Sequence, residues 1–570
     1  MPHSLWPLWT QTCRTFFRAY LAASILGEPR GLKDAILALF NLPSTSLRRS
    51  RGGKKQRATR SLASQLKAAQ TLSQQSILAT SQANPPPASA DSSSRIPRAI
   101  ALIQQGHVGR ATRSLFQKDL APVNQVTLQL MDSLHPQRAE TVPPLPPNAP
   151  TLLQIDLDAL AKIVKRSLAN GSSPAGSGWT GDLLRPLIDD KDCLTGLGAL
   201  IRDICTGTIP DSCRSLFVSS ILIAVDKDSG GKRPIAMGEC FYKLACLYIL
   251  SLVRPEIPAI LEPIQLALSP GGSEAAHHIL QAAVDLHPGW VVVSTDLTNA
   301  FNTRNRAQIL ESLYKEEKLS PLWRLANWSY GTSSPLLLMD NGVVLAELLS
   351  TTGVKQGDNL GSLLWALSMK DTYSESINGL GCRAVAIMDD IYFFGPSAAV
   401  FTAFARFSTS LATRNTGLVI NLGKSLALLP TGDQKAAALS RDHGIPTTTK
   451  LLPALGGVIG RSRIRISQWL VQQAKSLHTS LFEHILNPSL PSQHAFAILR
   501  LCVLPRMNYW SRIFPPEVFL PTAMAFDQVV LDTFCSKLSL PPLDSVAREQ
   551  ITLPVYLGVL VCEVCKRFLQ

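Results

Sequence analysis

The stretch "AVAIMDDIYFFGP", Ala384–Pro396, sets two adjacent aspartates, Asp389 and Asp390, inside an otherwise apolar run. Neighbouring carboxylates repel each other, and each resists losing its water. Their flanks, Ala384–Met388 and Ile391–Phe394, are the small, branched and aromatic residues that suit a buried sheet. The stretch predicts a β-hairpin over Ala384–Phe394 with the aspartate pair at its tip. Such a tip is either a solvated turn or a place where charge is held for use, and a second strand bears on which.

"GWVVVSTDL", Gly289–Leu297, is strongly β-branched and ends in Asp296. If the two strands are neighbours, three carboxylates meet at one sheet edge, where they cannot all stay ionised unaided. Divalent cations remove that conflict. Mg²⁺ takes oxygen ligands and shares its sites with phosphate groups. Two ions about 3.5–4 Å apart clamp the attacking and leaving oxygens of an in-line phosphoryl transfer. Asp296, Asp389 and Asp390 are therefore candidate metal ligands and catalytic residues. Two Mg²⁺ ions, with Mn²⁺ as a substitute, are the expected cofactor.

The composition fits a polyanionic partner. Of 570 residues, 55 are Lys or Arg and 41 Asp or Glu, a formal charge of +14. Eleven scattered cysteines show no framework spacing, which predicts reduced thiols inside a cell. Cys562 and Cys565 form a C-x-x-C with no second ligand pair beside it, which argues against zinc. No apolar run reaches the ~18 residues of a bilayer span, so no membrane is expected.

Residues 1–43 read as a helical piece and 44–96 as a disordered linker, basic at "RRSRGGKKQRATR" and then Ser- and Pro-rich. Residues 97–150 are a helical extension ending in the stiff boundary "TVPPLPPNAP". From 151 to 460 helical and strand-like segments alternate, including an amphipathic helix at Asp156–Leu168 and a strand–turn–strand over Ser215–Met237 turning at "DSGG". Residues 461–570 are helical again, with helices expected at Trp469–Leu486, His494–Cys502 and Thr522–Leu538.

Several motifs in fixed order resemble the reverse transcriptase family, in particular the polymerases of non-LTR retrotransposons. They are "SSPAGSGWTGDLL", "VDKDSGGKRPIAMGECFYKLACLYIL", "QLALSPGGSEAAHHIL", "STDLTNAFNTRNR", "TTGVKQGDNLGSLLWAL", "AIMDD", "GLVINLGKSLALLP" and "LGGVIG". The resemblance covers roughly 170–460 and, more weakly, 97–138 and 461–560. It implies an α+β right-hand polymerase: fingers, a palm with an antiparallel sheet, and a helical thumb, after a partly disordered N-terminal region. It also implies an RNA template, a DNA primer and dNTPs as partners. Protein partners stay unknown. An intracellular place is expected, with the nucleus favoured by the family and the basic run.

Residue roles follow from the same resemblance. Asp296 and Asp389 hold the metals, the Leu297 carbonyl is an extra oxygen ligand, and Asp390 supports the site. Lys227 and Arg233 flank the fingers turn and grip the triphosphate. Phe301 lies under the incoming sugar and leaves no room for a 2′-hydroxyl. Gln356 sits beside sugar and template base, and Gly357 permits close backbone approach. Lys424 protonates or neutralises the departing pyrophosphate. Arg500, Arg506 and Arg512 line a nucleic-acid face of the thumb. Ile387, where the family usually has an aromatic, and Asn359, where it usually has proline, depart from the pattern without removing a ligand. An inactive nucleic-acid-binding relic and an RNA-dependent RNA polymerase therefore remain alternatives. No nuclease pattern flanks the polymerase motifs.

Overall fold

In the computed structural model the described residues are 2–47, 62–69, 95–116, 124–152, 154–227, 231–340, 343–541 and 543–552. The basic run Arg48–Arg60, the turn residues 228–230 and the C-x-x-C lie outside them.

The N-terminal piece is part of the main core. Helices Trp6–Leu26 and Pro29–Ser46 are joined at Gly27, whose φ of 67° needs a residue without a Cβ. Trp9 and Phe17 pack their rings on Trp179, at 5.4 and 6.2 Å between centroids, and Trp179 packs on Phe241. Each indole finds a carbonyl, Trp9 Nε1 donating to Leu183 and Trp179 Nε1 to Leu39, both at 2.9 Å. The expected linker 44–96 needs correction at three points. Residues 44–46 finish the second helix, residues 62–69 are helical with Leu66 fully buried against the same core, and residues 95–96 already open the helix Arg95–Gln104. Apolar spacing in "LASQL" outweighed the polar composition around it.

One sheet has the order β2-β1-β4-β5, with β1 Ser220–Asp226, β2 Lys232–Gly238, β4 Ser334–Asp340 and β5 Val343–Ser350. The strand expected from Ser215 begins only at Ser220. Asp211–Val218 is a helix that buries Cys213, Phe217 and Val218 on one face. Three apolar residues in a row, Leu216–Val218, carry no period, and tertiary packing chose the helix.

The second sheet has the order β6-β7-β3-β8-β9: β3 Val291–Thr295, β6 Arg383–Ile387, β7 Asp390–Gly395, β8 Leu426–Leu428 and β9 Thr447–Thr448. Its pairs are antiparallel except β8 with β9. β3 is central, and Val291, Val292 and Val293 are wholly buried, which accounts for a strand with no polar alternation. A small hairpin, β10 Leu451–Ala454 with β11 Gly457–Gly460, links this sheet to a C-terminal helical bundle.

In the bundle the expected helix Trp469–Leu486 is two, Arg463–Ser476 and Thr479–Leu486, and His494–Cys502 is a short helix followed by a π turn, Leu499–Val503. Pro516–Leu538 runs 23 residues and is long and apolar enough to cross a membrane by length and composition, contrary to the sequence expectation. Its Phe519, Phe526, Val530 and Phe534 are buried in the bundle core, where an apolar helix also belongs. Helices Arg95–Gln104 and Val108–Phe116 add Ala99, Ala111 and Leu115 to that core. Helix Gln125–Ser133 lays Met131 on Leu222, Ala236 and Leu336 of the first sheet.

Candidate active site

The hairpin forms as expected: Ile387 pairs with Asp390, leaving Met388 and Asp389 at the tip. Met388 holds a φ of 55°, a left-handed conformation that a long side chain adopts only when its surroundings impose it. They do: the buried Gln265 amide donates to the Met388 carbonyl and accepts from its amide, both at 3.0 Å. The Tyr373 hydroxyl donates to the same carbonyl at 3.3 Å. Gln265 is a positioning group that sequence reading missed. Its only trace was a polar residue inside the apolar stretch "PIQLAL".

Strand β3 pairs with β7 in a register that sets Thr295 opposite Ile391. The pairing ends there: Asp296 follows Thr295 at the end of β3 and Asp390 precedes Ile391 at the start of β7, so the two carboxylates leave adjacent strand ends. On its other side Asp296 is held through its carbonyl, which accepts from Asn421 at 2.8 Å, and Thr298 donates to Val419 at 2.9 Å. Leu297 lies between these bonds opposite Ile420, a non-hydrogen-bonded position. Its own carbonyl therefore faces away from that segment and toward the hairpin side.

The charges respond to this crowding. Burial first, then Asp389 and Asp296, push the Asp390 carboxyl up to about 6, although the residue itself is exposed to solvent. Burial and Asp296 also raise Asp389, while Arg233 and Lys227 pull it back down. The two cations, both exposed on the β1–β2 hairpin, thus stand within electrostatic reach of the tip. Among the described residues no three Asp, Glu, His or Cys groups yet enclose a point where an ion would sit. The donor chemistry nevertheless fits hard cations: three mutually repelling carboxylates, with a backbone carbonyl turned to their side.

A stability measurement checks this repulsion. The folded-state pKa of Asp390 is raised, so its contribution is fully present below the unfolded value near 3.8 and lost as pH rises through about 6. Without divalent ions, Asp390→Asn is expected to melt higher than the parent above pH 6. The gain is on the order of 1 kcal/mol after allowance for solvent screening. The two chains should converge below pH 4. Equal melting throughout pH 4–8 would contradict the crowding.

Phe301 stacks on Trp365, centroids 5.5 Å apart and rings 14° from parallel, and stays partly exposed. Gln356 is half-buried, and its carbonyl accepts from the Ala236 amide at 2.8 Å. Gly357 has a φ of 108°, and a Cβ there would lie 2.8 Å from the Ala236 carbonyl. Its close backbone approach is to strand β2. Asn359 and Gly357 border a cavity of about 210 Å³ with Ser172, Ser173 and Lys243. Ile387 packs against the buried cluster that includes Val292, Val385 and Tyr392.

Two sets of buried charges were not foreseen. Lys355, just before Gln356, is 4% exposed; its ammonium donates to the Val218 carbonyl at 2.8 Å and lies 3.8 Å from Asp358. Arg306 is 2% exposed, its guanidinium donating to the Ser350, Thr352 and Gly353 carbonyls at 2.9–3.0 Å. Both fasten the Gln356 loop. On paper they look like solvated charges, because their partners are carbonyls distant in sequence.

Lys424 is exposed, one residue before Ser425, whose hydroxyl accepts from the Asp296 amide at 3.2 Å. In the bundle, Arg500 lies in the π turn and is half-buried, and Arg506 meets His478 at 3.2 Å. Arg512 pairs with Glu274 at 2.7 Å and so ties the bundle to helix Gly272–Leu286. The structure thus gathers Asp296, Leu297, Asp389, Asp390, Lys227 and Arg233. The three arginines belong to the C-terminal bundle, and Arg512 is engaged structurally.

Residues 225–454 match the family model for reverse transcriptase (RNA-dependent DNA polymerase). That stretch is similar to a reverse transcriptase domain. The match runs from the β1–β2 hairpin through β3, the Gln356 loop and the aspartate hairpin to β10. The 132 kDa protein of the retrotransposable element SLACS of Trypanosoma brucei gambiense is 26% identical over 432 residues, 74% of this chain and 35% of that protein. The chain thus spans about a third of the length of that curated relative. Among solved structures, apo telomerase from Candida tropicalis aligns over 57% of this chain and 64% of its own, at 13% identity and a TM-score of 0.34. Telomerase from Candida albicans, in complex with a TWJ fragment of telomeric RNA, aligns over 88% and 90%, at 12% identity and 0.33.

Proposed function

We propose that the chain is an RNA-directed DNA polymerase of the non-LTR retrotransposon kind, extending a primer 3′-hydroxyl with dNTPs on an RNA template. The observation that carries this reading is the β3–β7 register, which pairs Thr295 with Ile391 and so brings the strand ends bearing Asp296 and Asp390 together inside the family-matched region. In this reading β6-β7-β3-β8-β9 is the palm, the β2-β1-β4-β5 sheet with its helices the fingers, and the bundle the thumb.

Asp296, Asp389 and the Leu297 carbonyl would hold two Mg²⁺ ions, with Asp390 beside them; when bound, the ions polarise the attacking and leaving oxygens. Lys227 and Arg233, already within reach of Asp389, receive the triphosphate from the opposite side. Phe301, braced by Trp365, forms the floor under the sugar. Gln356 orients sugar and template base from a loop locked by Lys355 and Arg306. Lys424 stands by the leaving pyrophosphate. Arg500 and Arg506 meet the duplex phosphates. Arg512 sets the angle of the bundle through Glu274. A nuclear place of action accords with the basic run.

The test is primer extension on primed RNA with Mg²⁺ and either dNTPs or rNTPs. dNTP extension supports the reading. None at all favours a binding relic, and preferential rNTP use favours an RNA polymerase. Within the same assay, Phe301→Ala should raise relative ribonucleotide incorporation at least ~10-fold, because removal of a ring opens space for one hydroxyl and costs little else. An unchanged dNTP/rNTP ratio removes Phe301 from its role.

A further inference from the structure

Residues 134–140 lie well before the family-matched 225–454, yet their contacts fall on the two segments that carry the nucleotide-facing side chains. The Leu134 carbonyl accepts from Asn299 Nδ2 at 2.8 Å, and Arg138 Nη1 donates to the Thr303 carbonyl at 3.1 Å. Gln137 Nε2 donates to the Leu349 carbonyl at 2.9 Å, and the Arg138 amide to Thr351 Oγ1 at 3.1 Å. Gly417, with a φ of 79°, leaves the space for this crossing, since a Cβ there would lie 2.2 Å from Arg138 Nη1.

Glu140 closes the arrangement. One carboxylate oxygen accepts from Thr352 Oγ1 at 2.6 Å, and the other accepts from the amide of Arg306, the first residue of helix Arg306–Tyr314. An acceptor-only carboxylate suits two donors, and an anion suits a helix start. Inside this bridge the same two segments are laced together. Val354 donates to the Phe301 carbonyl and Gly353 to the Arg304 carbonyl, both at 2.8 Å. Phe301 lies three residues before Arg304, and Gln356 four residues after Thr352.

We propose that Glu140 is a positioning residue of the nucleotide site. By joining the start of helix Arg306–Tyr314 to Thr352, it sets the separation of Phe301 from Gln356. The inference rests on the polymerase reading and deepens it: the stretch before the proline-rich boundary is part of the nucleotide site's scaffold.

The test compares the full chain with Glu140→Gln, Thr352→Val, their double variant and, as a remote control, Glu517→Gln. Single-nucleotide incorporation on primed RNA and amide hydrogen exchange without nucleotide are both read. Glu140→Gln keeps the side chain's shape but presents a donor to one of two donors. It should raise KM for dNTP roughly five- to tenfold with kcat within about twofold, as expected when a charge-assisted bond is lost at a distance from the chemistry. It should also speed exchange over 351–357. Thr352→Val should act the same way, and the double variant should be little worse than either, because both cut one bridge. Parental KM and exchange in Glu140→Gln overturn the inference, as does a loss in kcat that merely follows the unfolded fraction. A parental chain that extends no primer overturns the polymerase reading, and this inference with it.

Discussion

Asp389→Asn should lose primer extension by a factor of ~10³ or more while the protein melts no lower than the parent. Asp389 stands at the tip of β6–β7, clamped there by Gln265 and Tyr373 through the neighbouring Met388 backbone. Neither clamp touches its carboxyl, so the amide variant keeps the hairpin. What changes is charge. An amide neither neutralises a hard cation nor shares one with a phosphate as a carboxylate does. A factor of 10³ corresponds to about 4 kcal/mol of transition-state stabilisation, a size that loss of one fixed charge in a water-poor site produces. The fold should gain slightly, because Asp389 is raised by burial and by Asp296 and its neutral form already suits that position. Extension within tenfold of the parent, at saturating Mg²⁺, would falsify the assignment.

A chain shortened to begin at residue 48 should fail to fold as a soluble protein, although every family motif remains in it. The deletion removes Trp9, Phe16, Phe17, Tyr20, Ile36, Leu39 and Phe40, all buried in the main core. At ~1.5–3 kcal/mol for each large apolar side chain, the loss is on the order of 10 kcal/mol. That matches the entire stability of an ordinary domain. It also strips the carbonyl from Trp179 Nε1 and two partners from Asp203, which accepts from Tyr20 and Ser24 at 2.7 Å and is left with Arg202 alone among its side-chain donors. Recovery of a soluble, cooperatively melting shortened chain would show that the N-terminal helices are an appendage. Circular dichroism and gel filtration decide the matter.

These two cases mark how far the sequence could be read. The aspartate hairpin was legible because a charged pair inside an apolar run is costly anywhere but at a site. β3 was legible because a central strand of such a sheet is apolar on both faces. The helix read from Asp156 was legible from its amphipathic spacing, and the Asp156 carboxylate caps it by accepting from Ala159 at 3.0 Å. The helix Asp211–Val218 was not. Neither was the break at Leu477–His478, because both depend on which neighbours are present rather than on local pattern.

The same division runs through the candidate site. Asp296, Asp389, Asp390, Lys227 and Arg233 were proposed from residue type and order. Gln265, Lys355, Arg306 and Glu140 did not. Each acts through a backbone group or hydroxyl more than forty positions away in the chain. By itself, the sequence determined the chemistry on offer: carboxylates at two strand ends, cations at one turn, an aromatic five residues after Asp296. Tertiary structure alone decided the register that brings the strand ends of Asp296 and Asp390 together, and it drew residues 2–46 and 134–140 into the body that holds them. The physical reason is that residue type and period act locally. Register, burial and the pairing of buried charges depend on which distant segments come to share one low-dielectric interior.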